Sequence, residues 1–147
     1  ARERPEQIAD AKAAFALIRA RAKQWRVDPA RVGMIGFSAG AMVTMITTLA
    51  APETKPAFIA PIYGSMEAVK VPPDAPPMFA VIAADDPLFA KKGFGLLDAW
   101  QAGGRPVEFH MYQAGGHGFG MGKKGTTSTG WFPAFMHWLE VSRFNVP

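Results

Sequence analysis

The stretch MIGFSAGAM, residues 34–42, runs an apolar segment straight into a turn of small residues with a serine, Ser38, at its apex. RVGMIGF is short and apolar, as a buried parallel strand is. The residues behind the serine, AGAMVTMITTLA, predict a helix. Gly36 and Gly40 frame Ser38 in a G-x-S-x-G pattern, in which glycines leave room for a strained strand-to-helix turn. Such a turn leaves the N–H of Ala39, at the start of the helix, free to donate to an oxyanion. The pattern alone is a weak signal, because a nucleophilic serine also needs a base and a group that orients the base.

Outward from this stretch the chain alternates helices and strands. From Pro5 to Arg26, Ile8, Ala11, Phe15, Ile18, Ala22 and Trp25 recur at three-four spacing, the stripe of a helix packed on a sheet. Asp28-Pro29 ends it. AFIAPIYG (57–64) predicts a second buried strand, and VPPDAPP a stiff extended loop leading into a third, MFAVIAADD. GFGLLDAWQAGG (93–104) predicts a helix closed by glycines. PVEFHMY alternates Val107, Phe109 and Met111 with Glu108, His110 and Tyr112, a strand with two unlike faces. A glycine-rich loop, QAGGHGFGMGKKGTTSTG, precedes a closing helix, WFPAFMHWLEVSRF, with an aromatic face. There is no internal repeat and no visible boundary, so residues 1–147 are expected to be one domain. The order predicts an α/β fold, a parallel sheet flanked by helices.

Composition narrows the classes of function. At 147 residues, 49% apolar and 19% charged, the chain can bury a core and is far from disorder. No apolar stretch approaches a bilayer-spanning length, and a membrane partner is not expected. Cysteine is absent, which excludes disulfides, thiolate nucleophiles and Cys-ligated zinc, and fits a cytoplasmic, periplasmic or secreted protein equally. The net charge of +4 concentrates in the first helix (Arg2, Arg4, Lys12, Arg19, Arg21, Lys23, Arg26) and alternates with Glu3, Glu6 and Asp10. That is a solvated helix face rather than a nucleic-acid footprint.

In parallel α/β sheets the chemistry sits beyond the carboxyl ends of the strands, and three such ends carry reactive groups. The first presents Ser38. The third ends in Asp85-Asp86-Pro87, where either carboxylate could orient a histidine, although Asp-Pro is also common in surface turns. The fourth is followed by His117 in GGHGFG, whose glycines let the main chain bring an imidazole close to a neighbour. His110, within a strand, and His137, within the aromatic helix, are expected to be structural. The order Ser, Asp, His matches the triad order of α/β-hydrolases. GFGMGKKG superficially matches a phosphate-binding loop, but it lacks the Walker spacing and the Ser or Thr after the lysine. Three scattered histidines do not make a zinc site.

IGFSAGA, FAVIAADDPLF, VEFHMYQAGGHGFGM and the closing helix resemble the α/β-hydrolase superfamily, in its dienelactone-hydrolase-like and acetyl-xylan-esterase-like branch. The resemblance covers nearly the whole chain. It implies an esterase acting on short acyl esters, such as acetylated sugars, without metal or cofactor. Laid over IAADDP, the branch's H-G-x-x-D-P pattern selects Asp86 over Asp85, with Ile82-Ala83 standing where His-Gly is usual. The implied catalytic set is Ser38, Asp86 and His117, with Ala39 as oxyanion donor. Tyr63, Met66, Phe89 and Phe119 are candidate wall residues by position, each equally a candidate for core. A prolyl-oligopeptidase-like peptidase shares the elbow and the histidine loop, and a half-fold acting as a binding or assembly module is the non-catalytic alternative.

The resembling family also carries an upstream half, with a glycine-rich segment that supplies a second oxyanion N–H. No such segment stands before Ser38. Losing one such donor costs about a hundred- to a thousandfold in rate. Only the last four strands of the family's sheet are expected here, with GMIGF as an apolar edge. An edge of that kind is normally covered. Either the chain is the C-terminal portion of a longer enzyme, or its sheet is completed by another copy or another chain, or it is a decayed hydrolase. The edge predicts association: at micromolar concentration, light scattering should find the isolated chain larger than a monodisperse monomer, and a cooperatively folded monomer would refute this.

Overall fold

The computed structural model describes residues 4–146; Arg2 and Glu3 of the charged opening stretch lie outside them. Helix α1 (Pro5–Trp25) begins with proline at a first-turn position, where an absent N–H costs no hydrogen bond. It stops where Arg26 enters the left-handed region at φ 55° and donates its N–H to the Ala22 and Lys23 carbonyls. Ala11, Phe15 and Ala22 of the expected stripe are buried, but Trp25 is 46% exposed because the chain turns away just after it. The stripe packs mainly on other elements than the sheet. No residue of α1 belongs to either sheet-face core; the helix lies against α2 (Ala39–Ala50) and the turn Pro52–Thr54, where Arg19 donates to the Thr54 carbonyl.

Strands β1 (Met34–Phe37), β2 (Ile59–Ile62), β3 (Met78–Ala83) and β4 (Val107–Tyr112) form one parallel sheet in the order β1-β2-β3-β4. Parallel neighbours need a crossover between them. Helix α2 supplies the first and α3 (Gly95–Ala102) lies in the third. The second is the proline-rich segment after β2, which contains no helix, as its composition predicts.

Side chains alternate across the sheet, and each face builds its own core. Ala60, Ile62, Phe79, Val81 and Ala83 pack under α4 (Trp131–Val141) with Trp131, Phe135, Trp138 and Leu139. Ile59, Met78, Ala80 and Ile82 pack with Leu96 and Trp100 of α3 on the other face. Each fully buried side chain of this size contributes about 1.5–3 kcal/mol of transfer free energy. The two fully buried indoles are satisfied: Trp100 Nε1 donates to the Pro76 carbonyl at 3.0 Å and Trp131 Nε1 to that of Gly120 at 2.9 Å. His110 of β4 packs on a core side chain as expected, half-buried, its ring 5.2 Å from that of Phe79 and its Nε2 2.7 Å from Glu108 Oε1. His137 does not: its side chain is 76% exposed, on the outer side of α4.

The central strands β2 and β3 are buried throughout. β1 reads locally as a buried apolar strand, but it is the apolar edge expected from the resembling family's strand order: an outer strand, with Ile35 40% and Phe37 38% exposed and only Gly36 buried. Gly36 is fixed by packing: a Cβ there would collide with the Gly40 carbonyl and the Thr44 hydroxyl of α2. Gly40 contributes that carbonyl and not empty space, since a Cβ on it would meet nothing among the described residues.

The two elbow glycines should therefore respond oppositely. Gly36→Ala is expected to lower unfolding free energy by about 1–3 kcal/mol through overpacking. Gly40→Ala, in a helix with open space, should raise it by roughly 0.5–1 kcal/mol. Urea denaturation of the two variants checks both signs.

Candidate active site

The carboxyl ends of the strands are laced together by the main chain. Ser38 N–H donates to the Ile62 carbonyl at 3.0 Å, Tyr63 N–H to Val81 at 2.8 Å, and Ala84 N–H to Tyr112 at 2.7 Å. The sheet thus holds the first residue beyond β1, β2 and β3 in one row, and the residues named from the sequence flank it.

Ser38 stands between β1 and α2 with φ 54° and ψ −112°. A non-glycine residue with positive φ is uncommon and costs of order 1–3 kcal/mol. Here α2 comes close to the strand ends: Gly36 lies under its first turns, and a Cβ on Gly64 would sit 2.7 Å from the Ala41 side chain. The result is a hydroxyl lifted off the sheet at the N-terminus of α2. Ala39 is the first helical residue, so its N–H is among the four a helix leaves without an internal partner.

Asp86 follows β3. Its side chain is fully buried, and Oδ1 accepts the Leu88 N–H at 2.8 Å and the Phe89 N–H at 3.2 Å. Its turn is the Asp-Pro turn visible in the sequence, but the carboxylate points inward. Oδ2 lies 2.9 Å from His117 Nδ1. His117 Nε2 in turn lies 2.7 Å from Ser38 Oγ. Because a carboxylate only accepts, Nδ1 carries the imidazole proton and Nε2 faces the serine hydroxyl as an acceptor. Ser38, His117 and Asp86 thus form one continuous hydrogen-bonded run, with the imidazole 20% exposed at its centre. Asp85, the other candidate acid, points elsewhere: its Oδ1 accepts the N–H groups of Gly115 at 3.0 Å and Gly116 at 2.7 Å.

The imidazole is held from both sides. The Tyr63 ring meets it edge-on at 5.4 Å and the Phe89 ring at 5.5 Å, and Phe119 packs on Tyr63 at 4.7 Å. Three of the four candidate wall residues therefore sit around His117. Met66 does not; it is fully buried in the core under α3. Tyr63 itself has φ 39°, a strained position that no sequence pattern announces. The glycine loop is pinned through the Gly120 carbonyl on Trp131 and the Lys123 N–H on Ser128 Oγ, 2.9 Å. Nearby, at the end of β4, burial raises the Tyr112 phenol above its ordinary value of 10.0 and keeps it neutral.

The family described as BD-FAE matches residues 1–88, from α1 through the Asp85-Asp86 turn. No curated protein matches the chain. Among solved structures, the acetyl ester-xyloside bifunctional hydrolase of Caldicellulosiruptor lactoaceticus is similar with a TM-score of 0.85 and 23% identity, over 97% of this chain and 68% of its own. MGS-M1, an α/β hydrolase from a Medee basin deep-sea metagenome library, gives 0.80 and 25% over 95% and 66%. Esterase 2 of Thermogutta terrifontis, phosphoramylated by tabun, gives 0.77 and 19% over 95% and 66%. The chain spans about two thirds of the length of these structures, and the fold they share with it is that of the α/β-hydrolases.

The strain at Ser38 is open to measurement. Ser38→Gly and Ser38→Ala both remove the hydroxyl, but only alanine keeps a Cβ at positive φ. The glycine variant is expected to be the more stable of the two by about 1 kcal/mol, read as a higher denaturation midpoint.

Proposed function

The chain belongs to the BD-FAE family, and from that premise we propose that it is a serine esterase cleaving short-chain carboxylic esters, carbohydrate acetyl esters among them. The observation that carries the reading is the unbroken run from Asp86 through His117 to Ser38, at 2.9 and 2.7 Å. The presence of esterases among the structures of similar fold supports the reaction class. The acetyl ester named for the Caldicellulosiruptor enzyme supports the choice of acyl group.

In this reading, Ser38 Oγ attacks the ester carbonyl carbon while His117 Nε2 takes the hydroxyl proton. Asp86, buried and acceptor-only, holds Nδ1–H and offsets the imidazolium charge as it forms. The carbonyl oxygen becomes an oxyanion that accepts the Ala39 N–H at the start of α2, where the helix dipole also favours negative charge. The tetrahedral species collapses, the carbon–oxygen bond to the alcohol breaks, and the alcohol departs with the proton from Nε2. A water then gives its proton to the same nitrogen and attacks the acyl-enzyme. The second collapse releases the carboxylic acid and restores Ser38.

The strain at Ser38 fits this role, since the turn keeps Oγ clear of the helix. The rings of Tyr63 and Phe89 limit the imidazole to small rotations, so Nε2 can pass from serine to leaving alcohol without losing its acid partner. Hydrolysis of an ester needs only a modest push on the leaving group, which suits a site with one donor identified within the chain.

Exposure to a fluorophosphonate, followed by mass mapping, is the test. An adduct is expected on Ser38 and should be absent in His117→Ala. Turnover of p-nitrophenyl acetate should fall about ten-thousand- to a million-fold in Ser38→Ala. Labelling at another residue, or a Ser38→Ala variant as active as the parent, refutes the esterase. Cleavage of the corresponding anilide at a comparable rate would favour a peptidase.

A further inference from the structure

Asp85 has no role in the steps above, yet its carboxylate is specifically bonded. It is exposed, and no lysine, arginine or histidine pairs with it among the described residues. Its polar partners are two successive main-chain amides, those of Gly115 and Gly116, both on Oδ1. These are the two residues immediately before His117.

The loop needs such a restraint. Gly115, Gly116, Gly118 and Gly120 surround His117, and the last three have φ of 68°, 76° and 55°. Glycine backbone is the least restricted of any residue, so a segment built this way does not hold its own conformation. Side-chain packing cannot hold it either at Gly116 and Gly118, where a Cβ would meet nothing within 4 Å. Meanwhile the imidazole has to keep 2.9 Å to Asp86 and 2.7 Å to Ser38 at once. Asp85 and Asp86 are adjacent, at the end of the fully buried strand β3. One dipeptide therefore grips both the main chain that carries the imidazole and the nitrogen that faces the acid.

We propose that Asp85 is a positioning residue for His117: its carboxylate, by accepting the Gly115 and Gly116 N–H groups, sets the imidazole between Asp86 and Ser38. The inference rests on the Ser38–His117–Asp86 reading. It also assigns Asp85, the first member of the Asp-Asp doublet, a separate task in place of redundancy.

A misplacement of about 1 Å at a reacting group costs roughly a hundredfold. Asp85→Ala is expected to lower kcat for p-nitrophenyl acetate by about ten- to a hundredfold with KM changed by less than about twofold. Asn keeps an amide oxygen able to accept both N–H groups. Asp85→Asn should therefore recover kcat to within about threefold of the parent, which a role for charge or for bulk folding would not allow. Equal activity of Asp85→Ala and the parent overturns the proposal, as does an Asn variant no better than Ala.

A readout without turnover separates this from failure of the esterase reading. By NMR, the Gly115 and Gly116 amides and the His117 Nδ1 proton should be protected in the parent and in Asp85→Asn and exposed in Asp85→Ala. If the parent takes no fluorophosphonate, the esterase reading falls; that protection pattern then still sustains the positioning of His117, and equal exchange in all three proteins overturns it.

Discussion

The rest of the site depends on one steric constraint, the close approach of α2 to β1 over Gly36. Any side chain at Gly36 would run into the Gly40 carbonyl, so the helix can begin this near the strand only over a residue without a Cβ. That proximity forces the connecting residue, Ser38, to positive φ. A longer turn would relieve the strain and also lower the hydroxyl back toward the sheet. The strain is balanced by α2 itself, whose buried Thr44 is tied through its hydroxyl to the Gly40 carbonyl at 3.0 Å, and by the Ser38 N–H on β2.

A second constraint comes from the parallel sheet. With all strands pointing one way, successive strand ends meet at one edge, and the loops leaving them share one surface. Ser38 leaves β1, Tyr63 leaves β2, the Asp85-Asp86 pair leaves β3, and the glycine loop leaves β4. The aromatic side chains then set finer distances. Phe37 packs on Tyr63 at 5.8 Å and on Trp131 at 6.0 Å, and Tyr63 meets His117. The core under α4 thus reaches up to the imidazole without a break. Trp131 serves both ends of this path, buried in the core and bonded to the loop at Gly120.

Much of this was legible from residue order. Periodicity and breakers delimit all four helices and all four strands to within a few residues, because apolar alternation and three-four spacing are local properties of the chain. The elbow is legible because glycine at two fixed offsets from a serine has few other uses. His117 stands out because flanking glycines make poor core. Less visible was anything that depends on which elements become neighbours. The α1 stripe correctly announces a buried face but not that α2, rather than the sheet, buries it. The apolar content of β1 alone suggests a buried strand; its place at the edge, with one neighbour, was expected only from the strand order of the resembling family and not from local pattern. Met66 and Phe89 look alike as candidate wall residues; one lies in the core and the other beside the imidazole.

The Asp85-Asp86 doublet marks the boundary most clearly. By itself the sequence determined the α/β class, the strand ends that matter and the residue types at each, since these follow from local pattern and from the parallel connection rule. It could place two carboxylates at the end of β3, but the residues' own pattern left both open, and Asp86 was favoured only through the resemblance to a family motif. Successive side chains diverge by a half-turn or less of backbone, and which of them meets Nδ1 is set by where the β4 loop returns. Only the tertiary structure decided that Asp86 turns inward to the imidazole while Asp85 reaches the amides before it. The physical reason is that a hydrogen bond is resolved at tenths of an ångström, whereas the pattern of a sequence fixes position only to the nearest residue.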